Sequence, residues 1–283
     1  MSLPYLHPYL GLSNGLNTLH AAGGAGGIGG WVELGRTTLG SAGDIITVSS
    51  LADKRYYMIL SSEINSNVSP FMRLNNDSGS NYARRYYPSN LSTEHTQTVL
   101  DNIDINTLSG TPFKFQMGYW ANYASKEKLG IIQSATPNTA GAGNAPVIIE
   151  TVGKWANTSN AINRVDVINE NIGDFASGSE VVVLGWDPAD THTNNFWEEL
   201  ASVELGSAGD TINSGTITAK KYLWFQCYTK GANTETQFRL NSDSGSNYAS
   251  SRSSDGGAYS TFTSQTLSKS MQQVVVEVIL LVL

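Results

Sequence analysis

The sequence contains one segment twice, in two copies that align without a gap. The run Phe71 to Ala83 reads FMRLNNDSGSNYA, and the run Gln237 to Ala249 reads QFRLNSDSGSNYA. The same offset relates Trp31 to Trp197, Leu39 to Leu205, Asp44 to Asp210, Tyr56 to Tyr222 and Arg73 to Arg239. A period this long indicates two copies of one folding unit in the same chain.

The repeat divides the chain into four parts. Residues 1–30 precede both copies and end in the run AAGGAGGIGG, which is typical of a flexible linker. We predict a first module over residues 31–187, which we call the first copy. A linker over 188–196 and a second, incomplete copy over 197–283 follow it.

Short apolar runs separated by Gly, Asn and Ser turns predict an all-β fold. Tyr56 to Leu60 is apolar on both faces, which indicates a central strand covered on both sides. We predict tandem β-sandwich, jelly-roll-like modules after an extended N-terminal arm. The expected core of the first copy is Leu34, Ile46, Met58, Leu74, Phe115, Val165, Val167 and Val182.

The best-matched segment predicts a turn between two strands. Met72 and Leu74 alternate with Arg73, which we expect on the outer face. Asn75 to Ser80 has turn chemistry, and Asn81 to Tyr87 is predicted to return as the second strand of a hairpin. The repeated turn residues are Asp44, Asp77, Asp210, Asp243, Gly79 and Gly245. We expect Asp44 and Asp210 to bond turn amides.

The composition narrows the range of partners. Charged residues make up 14% of the chain, against about 25% in an average globular protein. The net charge is −7 and there is no Lys/Arg stripe, so we expect neither nucleic acid nor membrane as a partner. A single cysteine excludes an intrachain disulfide framework.

No motif of enzyme chemistry is visible in the sequence. The four histidines lie outside the best-matched part of the repeat, and no HExxH, GxSxG, CxxC or P-loop pattern occurs. Asn75 to Ser78 offers oxygen ligands for Ca²⁺, but with only one carboxylate we favour a structural turn. We therefore predict no enzyme activity, no cofactor and no metal. Glycoside hydrolysis by two distant carboxylates stays open as an alternative.

A few aromatic residues are candidates for contact with sugars. Tyr86, Tyr87 and Trp120 lie in predicted strands and, if exposed, would offer flat faces to a glycan. A host-glycan-binding module is therefore a second functional hypothesis.

Several runs together resemble the repeated β-modules of tailed-bacteriophage virion structural proteins of the marine type. The resemblance rests on Trp31 to Gly35, the Gly40 to Asp44 turn, the Arg73 to Ala83 segment, Gly153 to Asn157 and Glu180 to Gly185. It implies a non-enzymatic protein that projects from the particle as a capsid decoration, head fibre or tail fibre.

The N-terminal segment fits an anchor to other virion proteins. Its apolar residues, among them Tyr5, Tyr9 and Leu10, follow no helix or strand period, so the segment is expected to dock on another surface. A basic region followed by an apolar run is not visible, so no signal peptide is predicted. We expect the protein in the virion, assembled in the host cytoplasm and not secreted.

The second copy has no counterparts of residues from about 123 to 187. Val274 to Leu283 corresponds roughly to Phe113 to Asn122 and is predicted to be a strand. Its apolar side chains and free edge would need cover. We expect either a chain that continues beyond Leu283 or self-association, most simply as a trimer.

Overall fold

The computed structural model describes eleven stretches of the chain. These are residues 30–64, 69–88, 93–105, 112–137, 139–170, 173–190, 196–227, 235–252, 260–266, 268–272 and 276–280. The predicted anchor residues Tyr5, Tyr9 and Leu10 lie outside the described residues.

All regular structure in the described residues is β-strand. The strands of the first copy are β1 (Val32–Thr38), β2 (Ile45–Ser49), β3 (Tyr56–Ile64), β4 (Pro70–Leu74), β5 (Tyr82–Pro88), β6 (His95–Leu100), β7 (Ile103–Asp104), β8 (Phe113–Ala121), β9 (Lys128–Thr136), β10 (Val147–Trp155), β11 (Arg164–Asn169) and β12 (Glu180–Trp186). Those of the second copy are β13 (Leu223–Cys227), β14 (Glu235–Phe238), β15 (Tyr248–Arg252), β16 (Ser260–Gln265), β17 (Ser268–Gln272) and β18 (Val276–Leu280).

The first copy is a sandwich of two antiparallel sheets. The larger sheet has the strand order β1-β12-β3-β8-β9-β10-β5-β6, and the smaller has the order β2-β11-β4-β7. The all-β sandwich prediction is confirmed.

The main core lies between the two sheets. Ile46, Leu74, Val165 and Val167 come from the smaller sheet and are fully buried, as the alternation in their strands predicts. The larger sheet contributes Tyr57, Ile59, Trp120, Val181 and Val183 to the same cluster. Of the predicted core residues, Leu34 packs at the margin of this cluster and is partly buried.

A second apolar cluster covers the opposite side of the larger sheet, which we call the outer face. Met58, Leu60, Met117, Val182 and Leu184 line it and are buried. Their cover comes from the start of the second copy, where Trp197 and Tyr222 are each 8% exposed. β3 is therefore covered on both faces, as predicted, and the expected core residues Met58, Phe115 and Val182 belong to this outer cluster.

The predicted hairpin between β4 and β5 is wrong. β4 pairs with β11 and β7 in the smaller sheet, whereas β5 pairs with β10 and β6 in the larger one. Residues 75–81 therefore carry the chain from one sheet to the other. Turn chemistry specifies that the chain changes direction, but the pairing partners decide which sheet the next strand joins. Arg73 does lie on the side of the smaller sheet that faces away from the core, as predicted, and it forms an ion pair with Asp101 at 2.6 Å.

The second copy repeats the strand pairings for which it has the residues. β13 pairs with β18 so that Leu223 faces Leu280, as Tyr57 faces Trp120 between β3 and β8. β14 pairs with β17 as β4 does with β7, and β15 pairs with β16 as β5 does with β6. In the described residues these are three separate two-stranded sheets.

The counterparts of β1 and β2 form no strand within residues 196–222. In the first copy, β1 pairs with β12 and β2 pairs with β11. Residues 197–283 include no counterpart of β11 or β12. That the second, incomplete copy forms a module of the same fold stays a prediction.

Candidate functional site

The repeated segment forms a tight corner between the two sheets, which we call the Asp77 corner (residues 74–82). Asn75 and Asn76 both have a φ of 54°, in the left-handed region that asparagine tolerates. The Asp77 carboxylate then accepts hydrogen bonds from the Gly79 amide at 2.9 Å and from the Asn81 side chain at 2.9 and 3.2 Å. The Asp77 side chain thus stabilises the turn through hydrogen bonds to residues within it.

Tyr82 is the last residue of the corner, and its hydroxyl hydrogen-bonds back to Leu74 and Asp77. Its ring is buried, and its hydroxyl accepts a hydrogen bond from the Leu74 amide at 3.0 Å. The same hydroxyl lies 3.1 Å from the carbonyl oxygens of Leu74 and Asp77, and it donates a hydrogen bond to either of them. Burial raises the pKa of Tyr82 well above its ordinary value, so the hydroxyl stays a donor.

Trp155 is the part of this corner that the sequence did not reveal. Its indole Nε1 donates to the Asp77 carboxylate at 2.7 Å, and its ring stacks on Tyr82 at 6.4 Å. Partial burial would raise the pKa of Asp77, but hydrogen bonds from Trp155, Gly79 and Asn81 outweigh it and lower the pKa. The run Gly153 to Asn157, which carries part of the sequence resemblance, thus has a structural role through Trp155.

The second copy builds the same turn, but the described residues give its aspartate no counterpart of the Trp155 bond. Asp243 accepts from the Gly245 amide at 2.8 Å and from Asn247, while the Tyr248 hydroxyl accepts from the Leu240 amide at 2.9 Å. Hydrogen bonds from Asn247 and Gly245 lower the pKa of Asp243. The best-matched residues of the repeat therefore serve the backbone in both copies.

The glycine of each corner leaves room for the neighbouring asparagine side chain. A Cβ added at Gly79 would lie 2.8 Å from the side-chain nitrogen Nδ2 of Asn81. One added at Gly245 would lie 2.7 Å from Nδ2 of Asn247. Both distances are shorter than real Cβ contacts allow. The glycine thus permits the asparagine to reach the aspartate.

The predicted role of Asp44 and Asp210 in binding turn amides stays a prediction, because no backbone amide is seen bound to either side chain within the described residues. The turn beside Asp44 is held by backbone bonds between Gly43 and Phe175 at 2.9 and 3.0 Å. The Asp44 side chain instead hydrogen-bonds Asp174 and raises the pKa of that carboxyl. Asp210 is exposed on a stretch without strand structure.

The predicted glycan contacts do not form one surface. Trp120 is 1% exposed and points into the sandwich, so the interpretation of this residue as a sugar platform is wrong. Its ring lies against Gly130, where a Cβ would approach it to 2.5 Å. Tyr86 is half-buried and stacks on His95 at 5.0 Å, while Tyr87 is half-buried on the opposite side of β5.

A polar pocket that sequence reasoning missed lies at one end of the larger sheet. It has a volume of about 220 Å³, and we call it the Tyr123 pocket. Its lining residues are Asp53, Arg55, Asn122, Tyr123, Ala124 and Asp187. They come from three separate parts of the sequence and have no common motif, so only the fold brings them together.

One carboxyl group with a perturbed pKa is enclosed in the sandwich. Glu63 is fully buried, accepts hydrogen bonds from Ser61 and from Gln116 (at 3.0 Å), and lies near the buried Lys114. Burial raises its pKa to about 7, against the opposing effect of these partners.

The carboxylate of Asp187 in the Tyr123 pocket has a lowered pKa. It accepts hydrogen bonds from the Ala189 and Arg55 backbone amides, and these bonds lower the pKa.

Comparisons with known proteins identify no relative of this chain. No protein-family model, curated protein or solved structure matches it. Within the described residues, no helix is long and apolar enough to span a membrane. The same residues contain no group of three or more His, Cys, Asp or Glu side chains placed to hold a metal ion.

Proposed function

We propose that the chain is a non-enzymatic structural protein of a bacteriophage particle, projecting as a capsid decoration, head fibre or tail fibre. The observation that carries this proposal is the Asp77 corner and its duplicate at Asp243. The residues that the two copies share most closely are engaged in holding their own backbone. This is the expected use of a repeat whose purpose is a stable fold.

The two-sheet antiparallel sandwich agrees with this role, because the jelly rolls of viral capsid domains are two-sheet sandwiches as well. A fold alone does not define a function. The proposal therefore rests on the structural use of the repeat together with the sequence resemblance to phage virion proteins.

The proposal assigns residues 1–30 as the anchor, with Tyr5, Tyr9 and Leu10 among its contacts. The test is a chain without residues 2–29, produced in infected cells and compared with the full chain by mass spectrometry of purified particles. We expect the shortened chain to fold, with an unchanged β-sheet circular dichroism spectrum, and to be missing from the particles. Its retention on particles would contradict the anchor role, and absence of the full chain from particles would contradict the virion proposal.

The proposal also includes self-association as a trimer. Light scattering coupled to size exclusion measures the mass of the full chain directly. We expect three times the mass of one chain. A monomer at micromolar concentration would argue against the trimer.

Binding of a host glycan is the second candidate function. The observation that favours it is the Tyr123 pocket, which has exposed aromatic rings beside polar groups. Tyr123 and Tyr56 are 40% and 36% exposed, and Trp186 is half-buried beside Tyr56.

A further inference from the structure

Three adjacent strands deliver aromatic and polar side chains to one end of the outer face. Tyr56 opens β3 and pairs across strands with Trp186 at the end of β12 and with Ala121 at the end of β8. Tyr123 follows β8 by two residues, and Asp187 follows β12 directly. The pairing register therefore places all these groups in one row, beside the Tyr123 pocket.

Aromatic rings at this end are paired with neighbouring groups. The rings of Tyr56 and Trp186 lie 5.6 Å apart, and the Arg55 guanidinium lies 4.4 Å above the Tyr123 ring. Flat aromatic surface combined with hydroxyl and indole groups offers both apolar contact and hydrogen bonds.

We propose, resting on the second candidate function above, that the Tyr123 pocket binds one uncharged sugar unit of a carbohydrate. A pyranose ring has an apolar face of C–H groups and a rim of hydroxyls that both donate and accept. Tyr123 would contact the apolar face with the side of its ring that Arg55 does not cover, while Asp53 accepts from hydroxyls and Arg55 donates to them. A volume of about 220 Å³ is below the roughly 300–1,000 Å³ of pockets for drug-sized ligands, which fits a single ring.

The charge of the pocket argues for an uncharged ligand. Asp53 and Asp187 supply two carboxylates against the single guanidinium of Arg55. An acidic sugar or a phosphate would meet more negative than positive charge. Hydrogen bonds that involve ionised groups are stronger than neutral ones, so these residues still bind neutral hydroxyls well.

The polar side chains are held in place before any ligand arrives. Arg55 donates from Nη1 to the Tyr123 hydroxyl at 2.9 Å, and its backbone amide donates to Asp187 at 3.1 Å. Asn122 donates to Asp53 at 3.1 Å and accepts from the Ile162 amide at 2.7 Å. A site fixed in this way loses little conformational entropy on binding.

The pocket belongs to the first copy only. At the positions of Asp53 and Arg55 the second copy has Ala219 and Lys221. The counterpart of Tyr56 is Tyr222, which is buried against the first copy. We therefore expect one sugar site per chain, although the chain contains two copies of the repeat.

The test is a titration of the full chain with single neutral sugars: glucose, galactose, mannose, N-acetylglucosamine and N-acetylgalactosamine. Saturation-transfer NMR detects binding, and calorimetry gives the affinity and the number of sites. We expect saturable binding of at least one sugar, with one site per chain. Binding should become at least tenfold weaker in Tyr123→Ala and in Asp53→Ala.

Ile131→Ala is the matched control, because Ile131 is an exposed side chain of the same large sheet, outside the pocket. We expect it to bind like the native chain, and thermal melting verifies that all variants fold. Three results would each overturn the proposal: no saturable binding of any of the five sugars, unchanged binding in Tyr123→Ala, or an equal loss in Ile131→Ala. Two sites per chain would also overturn the restriction to the first copy.

Discussion

At the scale of single residues, the Asp77 carboxylate is the group on which the corner depends. It accepts hydrogen bonds from a backbone amide, a side-chain amide and an indole, each between 2.7 and 3.2 Å. The three donors belong to Gly79, Asn81 and Trp155, so the carboxylate ties the turn to β10. Hydrogen bonds to a charged group each contribute about 1.5–3 kcal/mol.

Asp77→Asn is expected to lower the free energy of unfolding at pH 7 by about 1.5–3 kcal/mol. The asparagine amide has one acceptor oxygen and turns an N–H toward donors. The pKa of Asp77 is lowered in the folded state, so its contribution is complete above the ordinary carboxyl pKa. That contribution is lost as the pH falls through the lowered pKa. Urea unfolding at pH 7 and pH 3 should therefore show a smaller difference from the native chain in acid.

Asp243→Asn is the matched control for this prediction. Asp243 has the same amide and asparagine donors, but the described residues give it no indole donor. Its effect should be smaller than that of Asp77→Asn at pH 7. Equal effects of the two substitutions would show that the Trp155 bond contributes nothing.

The sequence could predict one side of this corner but not the other. Repetition identified Asp77, Gly79 and their counterparts, because these residues return at a fixed offset. Trp155 lies far along the chain, and the second copy has no equivalent of it. A contact between distant segments leaves no local pattern, so only the fold could reveal it.

At the scale of elements, alternation and apolar runs predicted most strands of the first copy. β3, β8 and β12 were expected from their sequences, and their central place in the larger sheet agrees with their burial. The pairing of strands was harder to predict. The residues between β4 and β5 indicated a turn, and nothing local distinguished a hairpin from a crossing between sheets.

Three glycines in neighbouring strands pack against the Trp120 ring. Gly130 lies directly under the ring, and Gly118 and Gly153 lie at its margins in β8 and β10. Glycine inside a strand often marks such a close approach. The close packing on these glycines explains why Trp120 is buried, which the sequence alone did not suggest.

Gly130→Ala is expected to lower the free energy of unfolding by about 1–3 kcal/mol, because the new methyl group would overlap the indole. A Cβ at this position would lie 2.5 Å from two ring atoms of Trp120. Thermal and urea unfolding measure the loss. Gly43→Ala is the control, since a Cβ there meets nothing within 4 Å. A Gly130→Ala chain as stable as the control would disprove the close packing.

At the scale of the whole molecule, the start of the second copy covers the outer face of the first. Glu180 of β12 is buried at this junction and accepts from Thr38 at 2.6 Å and from the Tyr222 hydroxyl at 3.1 Å. Lys221 forms an ion pair with the same carboxylate at 3.1 Å. Burial opposes ionisation of Glu180, but its hydrogen bonds to Thr38 and Lys221 lower its pKa. The two copies are therefore joined by both polar and apolar contacts.

The apolar half of this junction centres on Trp197. Its ring packs at 5.1 Å from Phe196 and 5.6 Å from Trp224, over the buried residues Met58 and Leu184. An uncovered outer face would present these apolar side chains to water. The repeat partner Trp31 lies on the same face, 6.3 Å from Tyr119, so both equivalent tryptophans contribute to one surface.

Trp197→Ala is expected to lower the free energy of unfolding by about 3–5 kcal/mol, the usual loss for a buried aromatic side chain. It should also increase the fluorescence of the dye ANS, because Met58 and Leu184 would become accessible. Leu205→Ala is the control from the same segment, since Leu205 is 41% exposed and its loss should change stability by less than about 0.5 kcal/mol. If Trp197→Ala behaved like Leu205→Ala in both measurements, the second copy would not be covering the outer face in solution.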